Sequence, residues 1–180
     1  MTVEKIINSI IDTEGGYTDN KSDLGGPTNF GITEKEARVN GYTGDMKDFP
    51  RQKAYDIYLN KYWLGPRFDE VAKLSEVVAG ELCDTGVNMG VLTAKLMLQR
   101  ALNLLNRQGK DFPDLKVDGQ IGPGTMSALA KYLAKRGAEG EKVLMRTLMV
   151  LRGARYVEIT EARPENKTFF YGWMLNRVGV

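Results

Sequence analysis

The stretch VEKIINSIIDTEGGY, residues 3–17, decides how this chain is read. Val3, Ile6, Ile7, Ile10 and Ile11 recur at the three-and-four spacing of an amphipathic helix, and Glu14 is the next position on that face. Gly15 and Gly16 follow at once. Glycine accepts the left-handed conformation that closes a helix, so the helix is expected to end at Glu14. A carboxyl group therefore stands where a leucine would be expected, in the last turn, where the helix dipole is negative. The pattern predicts a partly buried carboxyl, the setting in which a glutamate serves as a general acid near neutral pH.

Composition narrows the chemistry. A chain of 180 residues fits one ordinary domain, or one with a small appended lobe, and can bury a real core. It has no run of 18 apolar residues, and Glu4 precedes the apolar positions of an amino terminus without signal-peptide layout. Neither membrane insertion nor ordinary secretion is expected, and a soluble cytoplasmic protein fits. Cys83 is the only cysteine and there is no histidine. Nucleophile–histidine arrangements, histidine zinc sites and thiolate clusters are thereby removed. Carboxylates remain as acid and base, with no metal and no cofactor called for. Neither glycine motif for phosphate binding occurs, which argues against nucleotide chemistry.

Charge is divided unevenly: residues 1–90 hold 10 Lys+Arg against 15 Asp+Glu, and residues 91–180 hold 15 against 8. This asymmetry suggests an anionic polymer as partner. The basic residues are dispersed and form no stripe, so nucleic acid is not expected.

Further along, residues 17–33 are rich in Gly, Asp, Asn and Ser and read as a loop with a short hairpin. Thr33 with Glu36 forms a capping box for a helix from Glu34 to near Gly41. Pro50 opens another to about Trp63, with Asp48 as its candidate cap and with Gly65 and Pro66 as its stop. Residues 75–87 are helical in pattern, Thr93 is a candidate cap for the next helix, and 109–124 is a punctuated loop. Helices follow at 125–134, 141–162 and 169–178. The expected architecture is mainly α, a helical bundle with one small β-hairpin beside the first helix.

Asp23 comes nine residues after Glu14, and Thr28 five after that. A loop folding back over the end of the helix would set a second carboxylate and a hydroxyl across a cleft from the acid. Glycosidic cleavage needs that arrangement: one group protonates the leaving oxygen, while another stabilises the oxocarbenium-like centre or directs water.

These residues carry a resemblance. Glu14-Gly15-Gly16-Tyr17, with the run from Asp23 to Thr33, is similar to the signature of glycoside hydrolase family 108, the N-acetylmuramidases of phage endolysins and prophages. Asp84, Val87, Asn88 and Gly90 resemble its next block. The run Leu98 to Asn103, with Val117 to Pro123 and Thr125, resembles its predicted peptidoglycan-binding region, and Gly172-Trp173 with Arg177 its closing pattern.

The resemblance implies an α+β, lysozyme-like fold and hydrolysis of the β-1,4 bond between N-acetylmuramic acid and N-acetylglucosamine, with Glu14 as general acid. It divides the chain into a catalytic lobe, 1–92, and a helical lobe, 93–180, packed as one compact monomeric unit whose partner is peptidoglycan. It also implies residence in a host cytoplasm until a holin-type pore opens. Phage lysozymes carry Glu, Asp nine residues on and Thr six beyond. Here Thr28 arrives one residue early, so Asn29 or Asp19 remains an alternative presented by a shorter hairpin.

Other candidates have two readings each. Tyr17 either stacks on a sugar or pins the hairpin to the core. Tyr62 and Trp63 either line the cleft or belong to the core. Asn88 either binds substrate or satisfies a helix end. Asp118-Gly119 reads as a turn in which Asp bonds its own backbone, and Trp173 as a packed lid.

Overall fold

The computed structural model describes residues 2–19 and 26–178. The chain is mainly α-helical with one two-stranded antiparallel sheet. It divides into two units, one ending at Pro66 and one beginning at Arg67.

The first unit is built on the stripe. Helix α1 (Val3–Glu14) is capped by Thr2 and closed by Gly15 at φ +79°. Ile7 and Ile11 are buried with Ile32, Phe49, Ala54, Ile57 and Tyr58 in one core. Strands β1 (Thr28–Asn29) and β2 (Ile32–Thr33) pair with Asn29 opposite Ile32. Strand alternation turns both of these inward, and both are buried. Thr33 caps α2 (Glu34–Val39), its Oγ1 accepting the Glu36 N–H at 3.2 Å, as the capping-box reading expects.

Helix α3 (Arg51–Leu59) differs at its start from the expectation, while the helical run ends at Gly65 as expected. Phe49 and Pro50 are extended, which sets Asp48 too far back to cap it; Asp45 instead caps the single 3₁₀ turn Met46–Asp48. Beyond Leu59 the helix widens into a π turn (Asn60–Leu64), closed by the Gly65 N–H on Asn60 O at 2.8 Å.

The second unit comprises α4 (Phe68–Ala72), α5 (Glu76–Met89), α6 (Val91–Leu104), α7 (Pro123–Ala162) and α8 (Lys167–Arg177). Ser75 caps α5 through the Val78 N–H. Helix α6 starts directly after Gly90 at φ +90°, so Thr93 lies inside the helix and does not cap it. The two helices expected at 125–134 and 141–162 form one run kinked at Gly137. The Tyr132 hydroxyl spans that kink, donating to Gly140 O at 2.9 Å.

The structural division after Pro66 differs from the boundary expected after residue 92, because α4 packs on α5, which in turn packs against α6 and α7. Arg152, 1% exposed, ties α7 to α5 by donating to Glu81 Oε1 at 2.9 Å and to Asp84 Oδ2. Glu81 is deeply set and accepts a further bond from Thr85. Burial, outweighing Arg152 and the Thr85 hydroxyl, holds its carboxyl above the usual range.

Candidate active site

Glu14 is joined to the hairpin by a short tether. The chain passes through Gly15-Gly16-Tyr17, and Thr18 then pairs with Thr28 by reciprocal backbone bonds of 2.8 and 2.9 Å. The hairpin turns through Phe30 at φ +50° and Gly31 at φ +74°, the two left-handed residues of a type I′ turn. A Cβ at residue 31 would lie 2.9 Å from both Cγ and Oε2 of Glu14, and 2.5 Å from the Tyr58 hydroxyl. Only glycine lets the acid and that phenol crowd one point of the turn.

The residue bearing the acid is exposed, which corrects the expectation of partial burial. Its helix ends there, so no further turn covers the side chain as it leaves the stripe and reaches over Gly31. The result is an exposed residue whose carboxyl lies against the Gly31 backbone.

Thr28 is half-buried on the hairpin side away from the core, its hydroxyl donating to Gly26 O at 3.1 Å. Asn29, the alternative that a shorter hairpin would present toward substrate, is 4% exposed and donates to Met46 O at 2.8 Å, so it fastens the hairpin to the Met46–Asp48 turn. Strand alternation explains this inward aim. Tyr17 is half-buried, with the Lys47 ammonium over one ring face at 5.7 Å. Tyr62 stacks on Tyr58, ring centroids 6.1 Å apart, one ring removed from the acid. Asn88 belongs to the second unit, where it donates to Asp84 O within α5. Asp23 lies outside the described residues.

Sequence reasoning did not single out Tyr58. It is 4% exposed and donates to Phe30 O at 2.9 Å. Burial first, and the Glu14 charge second, push its phenol well above the usual tyrosine value, so it remains a protonated donor. Its one legible signal is the four-residue spacing to Tyr62.

In the second unit, the motif residues serve the fold. Gln99 is 1% exposed; its Oε1 accepts the Gly119 N–H at 2.7 Å, and its Nε2 donates to Gln120 O and Asp118 Oδ1, each at 3.1 Å. Asn103 exchanges two 2.8 Å bonds with the Leu115 backbone, and Asn106 likewise holds Phe112. Two amides on α6 and a third just past its end thus clamp the 107–121 loop. Asp118 bonds the Gln120 N–H at 2.9 Å, the local turn expected of it. Trp173 stacks on Tyr156 with centroids 4.9 Å apart.

Residues 7–90 match the family model described as glycosyl hydrolase 108, and residues 93–178 match that described as a predicted peptidoglycan domain. The chain thus joins a region similar to the family 108 glycosyl hydrolases to one similar to the predicted peptidoglycan domain, and the pair indicates a glycoside hydrolase acting on peptidoglycan. Among solved structures, "Structure of Brucella abortus SagA" aligns with TM-score 0.60 and 27% identity, over 97% of this chain and 88% of that one. The likeness supports the mainly α, lysozyme-like fold. A search of curated proteins finds no match.

Proposed function

We propose that the protein is an N-acetylmuramidase of the endolysin kind, hydrolysing the β-1,4 bond between N-acetylmuramic acid and N-acetylglucosamine. The observation that carries this reading is Glu14: an exposed carboxyl at the end of a helix whose isoleucine face is buried, set against the glycine turn of a hairpin within a region that matches family 108. In the proposed reaction Glu14 donates its proton to the glycosidic oxygen as the bond breaks. Asp23 is the proposed opposed carboxylate, stabilising the sugar cation or directing water, and Thr28 the proposed hydroxyl. Tyr17 and Tyr62 offer ring surface to the sugars.

The proposed setting is a host cytoplasm in which a monomer accumulates, reaching the wall through a holin-type pore and lysing the host. Among the described residues no helix is long and apolar enough to cross a membrane. Mass spectrometry of digested peptidoglycan tests the bond and the chemistry together. Reducing N-acetylmuramic ends are expected, whereas 1,6-anhydro ends would identify a lytic transglycosylase and reducing N-acetylglucosamine ends a different specificity.

A further inference from the structure

The turn that faces Glu14 is an uncommon one. A two-residue type I′ hairpin favours Asn-Gly or Gly-Gly, since both positions need positive φ. Here Phe30 occupies the first position at φ +50°, a conformation unfavourable to a bulky residue. Something must hold it. The Phe30 ring packs against the first-unit core, and its carbonyl accepts the Tyr58 hydroxyl at 2.9 Å.

Tyr58 suits this task. Its ring is enclosed by the core, and Tyr62 lies parallel to it at an interplanar angle of 16°. The phenol therefore has little freedom to swing, and its oxygen emerges where Gly31 lacks a side chain and Glu14 lies alongside. We infer that Tyr58 is a positioning residue for glycosidic cleavage: it locks the Phe30-Gly31 turn and forms the rigid wall against which the Glu14 carboxyl is held. This rests on Glu14 being the general acid, and adds a residue that acts through it without touching the sugar.

The test compares Tyr58→Phe and Gly31→Ala with wild type and with Glu14→Gln, on soluble glycan strands well below every melting temperature. Tyr58→Phe removes one oxygen and leaves the core packing intact. A displacement of the acid by even about 1 Å lowers the chemical step strongly, so kcat is expected to fall about ten- to a hundredfold while KM stays within about twofold. Gly31→Ala inserts a methyl group at the same point and is expected to give the same split. Wild-type kcat in folded Tyr58→Phe would overturn the inference, as would a loss confined to KM. If Glu14→Gln retained full activity, the proposed function itself would fall; loss in Glu14→Gln with none in Tyr58→Phe would sink the positioning role alone.

Discussion

At the scale of single residues, Arg152 shows how much one buried charge can organise. Its guanidinium is enclosed between Glu81 and Asp84, so removing it strands two carboxylates in a partly desolvated place. Breaking such a pair from one side costs about 3–5 kcal/mol. Arg152→Ala is therefore expected to lower the urea midpoint markedly, and an unchanged midpoint would refute the role given to this network. Nothing in sequence periodicity singles out Arg152 among the arginines of α7, because its importance lies in partners 68 and 71 residues away. Glu14 is the opposite case. Its place on the isoleucine stripe and the glycines after it made it legible, although its exposure was not: that follows from what covers the end of the helix.

At the scale of elements, local chemistry predicted most of what it could reach. The Thr33 cap, the Gly15 closure and the break between the halves of α7 follow from residues within one turn of each boundary. Helix α4 escaped because five residues are too few for a periodic signal. Asp48 and Thr93 looked like caps but lost to extended backbone at Phe49-Pro50 and to Gly90. The hairpin and Thr28 were readable from turn residues, whereas the roles of Asn29 and Tyr58 depend on which face each presents to distant chain.

The loop of residues 107–121 has little regular structure, and its order comes from the Gln99, Asn103 and Asn106 amides. Gln99→Ala would leave the buried Gly119 N–H without its partner, a cost of about 1–3 kcal/mol. Faster amide hydrogen exchange confined first to the 115–121 backbone is the expected outcome; exchange unchanged there would contradict the clamp. The same segment should loosen in acid. The Gln120 N–H, then the Gln99 amide, hold the Asp118 carboxyl below the usual range. Its folded value lies under the unfolded one of about 3.9. Its stabilisation is thus complete well above that pH and is lost as pH falls through the folded value.

At the scale of the whole molecule, the family match and the structural units divide the chain differently. The glycosyl hydrolase 108 match runs to residue 90, past the unit boundary at Pro66, and so includes α4 and α5. These two helices pack within the second unit, and α5 supplies both carboxylates of the Arg152 network. The peptidoglycan domain is therefore not expected to fold apart from α5. Residues 67–180 are expected to fold cooperatively as a fragment, as judged by circular dichroism and a thermal transition. Residues 93–180 lack Glu81 and Asp84, and they should not fold. A cooperative transition in the shorter fragment would contradict this division.

Glycosidic cleavage by this protein is assigned to one carboxyl group, that of Glu14, and one comparison tests it most directly. Purified peptidoglycan is incubated with wild-type protein and with Glu14→Gln, and newly formed reducing ends are quantified by mass spectrometry. The melting temperatures of both proteins establish that both are folded. General acid catalysis contributes about 10²- to 10⁴-fold, so the variant is expected to release reducing N-acetylmuramic ends at least about a hundredfold more slowly at an unchanged fold. Release by folded Glu14→Gln at the wild-type rate would contradict the assignment of Glu14 as the acid.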